Sequence, residues 1–548
     1  MGQNFKKGGL KKSILLACFS ASHAMAQSPP SAATPPPILP SAPAMAAASS
    51  PRFAIRGFSV KGDNPLGEGV TSQVLAPFLR SDATIDVLQK ATQALETALR
   101  DKGFGLHRVV LPPQEVGDTV SLEIVKFALN RVKVEGNTRS TEANVRASLP
   151  ELQAGGTPNF KRLAVQTAIA NDNPGKQVTV SLKESDQTDK IDATVLVKDS
   201  RPWTFGISAS NTGSASSGRD RVTFSGGHSN LFDRDHQLIA AYTTSLERIK
   251  DVKQLGLSYR VPLYAAGGVV GASYTQSDVL GNFGAFTSTG AGRTMGLNYT
   301  QHLPPNGGQR SYVSLGLDDK LFNAAFINGF VVPGQLDRRS RPLVLGYTSR
   351  TESDAAFSSY NVELAVNVRS GSGNKLTSYK SEDARISTAA WKALRGGVNY
   401  MAPIASNWLW AIRGQAQVSG DALISGEQFG LGGVASVRGA ADRVLVGDSG
   451  LSSTLEATTP ELGKGLRAVG FIDSGWVSNH NTAGSAKLSS DTLASVGLGL
   501  RYAHSVSGLA LSADYGRIVA GSSAPSTTNP GAPQKGSDKL HVNLSIRF

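Results

Sequence analysis

Near the end of the chain, Leu540, Val542, Leu544, Ile546 and Phe548 alternate with Lys539, His541, Asn543, Ser545 and Arg547. One apolar and one polar face at period two predict a half-buried strand. The same pattern, read backwards, predicts strands near 508–516, 494–504, 466–477 and 450–459. Their connections alternate in length: about 505–507 and 460–465 are short, about 517–539 and 478–493 long. From about Arg201 onward the helix period is absent, and short alternating runs rich in Gly, Ser, Thr, Val, Leu and Tyr fill the chain. Tyr259 to Leu263 and Gly268 to Tyr274 read as two strands flanking a tight turn. At about 22 residues for a strand and its connection, this region makes about 16 strands, an even number. Short turns on one side, long loops on the other and two-faced strands predict a transmembrane antiparallel β-barrel, lipid outside and water inside. With the C-terminus on the periplasmic side, parity places the connection before the last five strands, about 421–450, on the outer side.

Residues 51–199 follow another rule. Phe58-Ser59-Val60-Lys61-Gly62 returns as Val132-Lys133-Val134-Glu135-Gly136, the signature of a repeated unit. In the first copy (51–127) a strand carrying Phe53, Ile55, Phe58 and Val60 leads into a helical pattern from about Val70 to Leu79. A second helix follows, with Ile85, Leu88, Leu95 and Leu99 at helix spacing, Thr84 as N-cap and Gly103 as stop. Strands Leu106 to Leu111 and Thr119 to Phe127 close the unit. The second copy (128–199) repeats the order: strand Arg131 to Glu135, helices near Thr141 to Leu149 and Asn159 to Ala170, strands Gln177 to Leu182 and Lys190 to Lys198. Two small α+β domains therefore precede the barrel (200–548). Each has an edge strand able to accept an extended partner segment, or serves as a spacer.

The N-terminus explains how such a chain reaches a membrane. Lys6, Lys7, Lys11 and Lys12 precede an apolar stretch from Ile14 to Ala21, and Ala24-Met25-Ala26 offers a cleavage site, so residues 1–26 are expected to be an export signal. Residues 27–50 are mainly Pro, Ala and Ser and are expected to be a solvated linker. Charged residues make up only 18% of the chain and Gly is used 59 times, which fits a barrel better than a cytosolic enzyme. The single Cys18, inside the signal, excludes disulfide and thiolate-metal chemistry. A net charge of +13 without clustered basic and aromatic runs points to lumen-lining cations or anionic lipid rather than nucleic acid.

Candidate chemistry is sparse. The chain carries no G-x-S-x-G, no complete P-loop and no H-E-x-x-H, and its eight His lack metal-ligand spacing, so neither an enzyme, a cofactor nor a metal site is expected. Gly447-Asp448-Ser449-Gly450 imitates a protease nucleophile loop without partners of its own. Two places remain. Phe429 to Gly439 is a Gly-rich, weakly charged run ending in Val437-Arg438-Gly439. In the fourth strand from the end, Phe471, Asp473 and Gly475 share one face while Leu466, Ala468, Ile472 and Trp476 suit lipid on the other, which turns Asp473 inward. A lumen carboxylate can pair bidentately with Arg438 on an inward-folded loop; alternatively both charges only line a wet pore.

These residues carry a resemblance. Val437-Arg438-Gly439, the Phe471-x-Asp473-x-Gly475 strand, two repeats before about 16 strands and the final Phe548 resemble the two-partner secretion transporters, the TpsB-type haemolysin secretion/activation proteins (ShlB/FhaC/HecB) of the outer-membrane insertase superfamily. Leu111-Pro112-Pro113-Gln114 before Gly117, Trp203 with Asn211-Thr212-Gly213 and Gly218, and Tyr259 to Leu263 are similar to the same family. The resemblance covers roughly Arg52 to Phe548. It implies that the repeats are periplasmic POTRA domains and that the barrel sits in the outer membrane. The implied partner is a large secreted TpsA-type protein, an adhesin, haemolysin or haem-binding protein, which the barrel passes to the surface; outer-membrane lipid and the barrel-assembly machinery are further partners. It also implies that Arg438 and Asp473 lock the loop in the lumen and that Phe548 serves barrel assembly. Ala440 stands where the family has an aromatic, and the Pro-rich 27–50 cannot form the family's N-terminal plug helix. A barrel-assembly factor and a passive porin are the alternatives; the first would carry more repeats, the second none.

Overall fold

The structure, a computed structural model, describes residues 52–548 apart from 116, 215–216, 280, 284–285, 289, 325, 328–329, 332 and 525–530. The expected signal 1–26 and linker 27–50, and with them any plug, lie outside the described residues. Among the described residues two compact units are present, one holding 52–102 and His107–Val125, the other Gly103–Leu106 and Lys126–Phe548.

In the first unit the strand Gly57–Gly62 runs parallel to Thr119–Lys126, whose other edge carries His107–Val110. The helix Ile85–Asp101 lies against this sheet and buries Leu88, Ala91, Leu95 and Leu99, one stripe of a 3.6-residue period. Each of its buried leucines contributes about 1.5–3 kcal/mol. Three details differ from the sequence reading. Ile85 is exposed, and Thr84 occupies the N-cap position without a side-chain hydrogen bond. The first helix spans only Gly67–Leu75, continuing as a 3₁₀ turn Ala76–Phe78, because Pro77 lacks the N–H that an α-helix needs. A two-stranded ribbon of Phe53–Ile55 with Arg80–Ala83 follows; Arg80, Ser81 and Asp82 are all exposed, so no apolar alternation announced it.

The second repeat places Ala128–Glu135 parallel to Lys190–Asp199, with Lys176–Glu184 antiparallel on the far edge and helices Glu142–Ser148 and Phe160–Asn171. Both helices are side-chain capped, by Thr141 Oγ1 accepting from the Asn144 N–H (3.1 Å) and by Asn159 Oδ1 accepting from Lys161 and Arg162. The glycines that mark the repeat have one physical cause. Gly62 and Gly136 both adopt positive φ (87° and 80°), and a Cβ on either would lie 2.2 Å or 2.5 Å from a carbonyl oxygen of the neighbouring strand.

The remainder is a closed barrel. Sixteen antiparallel strands run from Trp203–Ser210 to Asp538–Arg547, with Arg338–Ser340 and Pro342–Glu352 forming one strand interrupted at Arg341. Connections at the end beside the second repeat are tight, such as 232–235 and 264–267, whereas the far end carries long ones, 368–391 and 420–448 the longest. Leu540, Leu544, Ile472, Trp476 and Leu498 face outward and are exposed, while His541, Asp473 and Phe471 face inward and are buried. Strand pairing is uneven. Leu466–Ser478 pairs along its whole length, from Leu466↔Tyr502 to Ser478↔Ser490, but the closing strand meets the first only from Asn543↔Ser210 to Arg547↔Gly206. Asn211 extends that seam at its far end, its amide bonding Leu540 O (2.7 Å) and the Val542 N–H (2.9 Å). Phe548 extends the other end, its N–H donating to Phe205 O at 2.9 Å.

The second repeat docks on the near-end turns of the barrel. Lys176 Nζ and Asp235 Oδ2 are 2.6 Å apart with both side chains 2% exposed, and Tyr264 Oη donates to the same oxygen at 2.7 Å. Burial, with that carboxylate alongside, pushes the Tyr264 phenol far above its ordinary range, so it remains a donor. Asn144 Nδ2 donates to Asp233 O (2.9 Å), Asn173 Nδ2 to Ser229 O (2.8 Å), and Arg310 Nη1 to Asp172 Oδ1 (3.1 Å). Val165 and Ile169 pack on Val269 beside these bonds.

Candidate functional site

The 420–448 loop folds back into the barrel as a narrow hairpin, in which Phe429–Leu431 pairs with Leu445–Gly447. Its Gly-rich sequence is what the ribbon needs at its bend. Gly432 and Gly433 have φ of 108° and 85°, and a Cβ on Gly433 would lie 1.7 Å from Asp442 Oδ1. Ser436 Oγ closes the turn by accepting from the Gly432 N–H (2.8 Å) and donating to the Gly432 carbonyl (3.0 Å).

The turn delivers Arg438 to the inner wall. Its Nε donates to Asp473 Oδ2 at 2.8 Å and Nη2 to Oδ1 at 2.9 Å, and its backbone N–H reaches the same carboxylate at 3.0 Å. Nη1 donates to Glu456 Oε2 at 3.0 Å. The guanidinium lies 3.4 Å from the ring centre of Phe471, and the side chains of Arg438 and Asp473 are 2% and 0% exposed. Bidentate geometry, a third backbone bond and a cation–π face together satisfy a charge pair that would otherwise be costly to bury.

Glycines let the parts approach. A Cβ on Gly497 would strike the Phe471 ring at 2.2 Å and one on Gly475 the Leu431 side chain at 2.4 Å. Gly439, at φ 94°, lies against Gly516 of the strand Leu509–Ala520: a Cβ on Gly439 would be 2.7 Å from Gly516 O. The Gly439 N–H donates to His541 Nε2 (3.1 Å) on the closing strand. Val437 and Ala440 are buried with Leu431, Leu445, Val477, Leu493 and Ile518, so the position where an aromatic was expected is a small residue in an apolar cluster.

The structure thus brings Val437, Arg438, Gly439, Phe471, Asp473 and Gly475 into one cluster, and places Phe548 apart from it at the seam. Sequence reasoning missed Glu456, Gly497, Asp514, Gly516 and His541. Asp514 is 3.7 Å from Arg438 and held by Arg501 at 2.7 Å. Alternation marks Glu456, Asp514 and His541 as inward, but it is silent on which inward residues share a height in the barrel.

A sequence profile described as the haemolysin secretion/activation protein ShlB/FhaC/HecB matches residues 190–502, and one described as the POTRA domain, ShlB-type, matches residues 53–126. The chain belongs to the ShlB/FhaC/HecB family. It is 22% identical over 446 residues to the outer membrane transporter CdiB of Dickeya dadantii, covering 79% of this chain and 78% of that one. CdiB of Escherichia coli is also 22% identical, over 467 residues, covering 80% and 75%. Solved structures of CdiB share the fold: that from Escherichia coli has a TM-score of 0.72 at 18% identity over 93% of each chain, and that from Acinetobacter baumannii 0.69 at 17% over 91% of each. The protein is a two-partner secretion transporter of the outer membrane, with its POTRA domains in the periplasm. The tight connections are accordingly periplasmic turns and the long ones outer loops.

Proposed function

We propose that the POTRA domains capture a large secreted partner protein as an unfolded chain and hand it to the barrel lumen, which conducts it to the surface while the Arg438–Asp473 pair holds the 420–448 loop in place. The observation that carries the capture step is the position of His107–Val110 as the edge strand of the first POTRA sheet. A groove of about 500 Å³ lies beside the end of that strand, lined by Ile85, Gln89, Thr92, Gln93, Glu96 and Leu111. An incoming unfolded chain has bare backbone N–H and C=O groups to satisfy whatever its side chains, and an added strand satisfies them. Val110 and Ile85, exposed beside the edge, offer apolar contact for alternate residues of that strand. Release of the partner follows from modest affinity, since ordering an unfolded segment costs about 2–5 kcal/mol. No ATP site is expected, so net movement is driven by the partner folding outside, which removes unfolded chain from the exit equilibrium.

The test titrates the full-length transporter in detergent with the N-terminal domain of its partner, before and after Pro replaces alternate residues that donate to the ladder. Binding should weaken about tenfold per lost pair of backbone bonds, whereas changes of side chain that keep the N–H should matter little. Undiminished binding by the Pro variants would show that a folded surface is recognised instead.

A further inference from the structure

Gly447-Asp448-Ser449-Gly450, which resembles a nucleophile loop, sits where the 420–448 loop rejoins the wall. Ser449 Oγ is occupied there: it accepts from the Ser419 N–H at 3.0 Å and donates to the Ser419 carbonyl at 3.2 Å. Asp448 is wholly buried, and its carboxylate accepts four hydrogen bonds. Oδ1 takes the Leu423 N–H (2.9 Å) and Gln428 Nε2 (2.8 Å); Oδ2 takes Arg385 Nη1 (3.0 Å) and the His480 N–H (2.9 Å). These donors come from three outer loops, 368–391, 420–448 and 479–489.

Arg385, itself 3% exposed, also donates to the His480 carbonyl (2.6 Å) and holds Asp383 at 2.8 Å. Beneath the ion pair, Tyr379, Ile386 and Trp391 of one loop pack with Leu423 and Ile424 of the next. Glu427 at the loop's root pairs with Arg395 (2.8 Å) and Lys320 (3.2 Å) on the wall. Simple tethering of surface loops does not require a buried carboxylate saturated from three directions. Such a group specifies one arrangement of its donors, because any other leaves a buried charge short of partners.

We propose that Asp448 is the hub of a second lock, which clasps three outer loops together at the mouth of the barrel and acts independently of the Arg438–Asp473 pair. The proposal rests on the reading of the barrel as a conduit. Independence follows from distance: Ser449 pairs with Ser478, five residues beyond Asp473 on the same strand, or about 17 Å. Substitutions more than about 7–10 Å apart and without shared partners usually act additively. The two locks differ in what they hold. The inner one fixes the tip of one loop to the wall; the outer one joins that loop's root to its two neighbours, so a chain leaving between those loops has to part Arg385 from Asp448.

The experiment is ion current through full-length barrels in planar lipid bilayers without partner protein, with heat-modifiable mobility on gels confirming that each barrel is folded. Asp448→Asn and Arg385→Gln should each raise the fraction of time in the open level about tenfold, the size of one lost charge-assisted hydrogen bond. Their combination should add little, because both break the same contact. Asp448→Asn combined with Arg438→Ala should instead give the product of the separate effects. Should Asp448→Asn fail to fold, Arg385→Gln, which keeps a donor at that place, decides alone. A current like that of the unaltered protein in the folded variants, or a strong departure from the product, overturns the second lock and leaves the conduit reading intact. A barrel that conducts in no variant overturns both.

Discussion

Some parts of the transporter are fastened and others are held by little. The second POTRA domain and the 420–448 loop belong to the first group: each is fixed to the barrel by a buried carboxylate, Asp235 under Lys176 and Tyr264, and Asp473 under Arg438. The seam between the last and first strands belongs to the second. It pairs over a fraction of the length of its neighbours. Local opening follows the density of buried contacts. Strand closure is thus assigned to a weakly held region, and the frame around it is built from ion pairs whose loss is costly.

The largest expected effect removes a fastening outright. Arg438→Ala leaves Asp473 buried without its cation, a loss of about 3–5 kcal/mol, so hydrogen exchange in 420–448 should accelerate and secretion should fall sharply. Asp473→Ala should do the same, and the double substitution should cost less than the sum. Strict additivity in the secretion assay would separate the two residues.

Lys176→Met tests the other fastening. The apolar stem is kept, but Asp235 retains only Tyr264 and loses its cation, worth about 2–3 kcal/mol. Protease sensitivity around 199–203 should rise while the barrel keeps its heat-modifiable mobility; unchanged cleavage would mean that the apolar contacts of Val165 and Ile169 suffice.

At the seam a smaller change should matter because there is little to lose. A chain ending at Arg547 lacks the bond from Phe548 to Phe205, about 1 kcal/mol in a neutral pair. Outer-membrane levels should drop several-fold by quantitative blot, and normal levels would refute the role of that residue.

The smallest effect is a pH dependence within the second POTRA domain. Burial by itself would raise the Asp199 carboxyl, but hydrogen bonds from the Thr138 hydroxyl and the N–H groups of Ser140, Arg139 and Thr138 outweigh it and hold its pKa below the ordinary range. With the folded value depressed, the stabilisation is complete above the unfolded pKa near about 4 and is lost as pH falls through the folded one. The protection of the 138–140 amides, measured against their intrinsic exchange at each pH, should fall in acid in the natural protein and be low and nearly flat with pH in Asp199→Ala. A flat profile in both would show that the carboxylate contributes nothing.

How much of this was legible beforehand depends on the range of the interaction. The number of strands, their outward faces and the alternation of short and long connections were readable because period two and turn chemistry act over a few residues. The paired glycines 62 and 136 were readable as a repeat, though the carbonyl that each must clear was not. Arg438 and Asp473 could be matched because a charge on the inward face of a membrane strand stands out. Asp448 and Lys176 could not: each is one polar residue in a loop or at a strand start, and their burial is created by segments distant in the chain.

The sequence by itself determined that alternating runs form the barrel strands, which side of those strands meets lipid and that two helices stand in each repeat, since all of these follow from spacing along one segment. Only the tertiary structure decided which inward residues meet. In a closed barrel, height is set by the stagger that every strand accumulates around the ring, so that Arg438 finds Asp473, Glu456 and Phe471 together, and Asp448 finds donors from three loops. Stagger belongs to the whole ring, and no single strand encodes it.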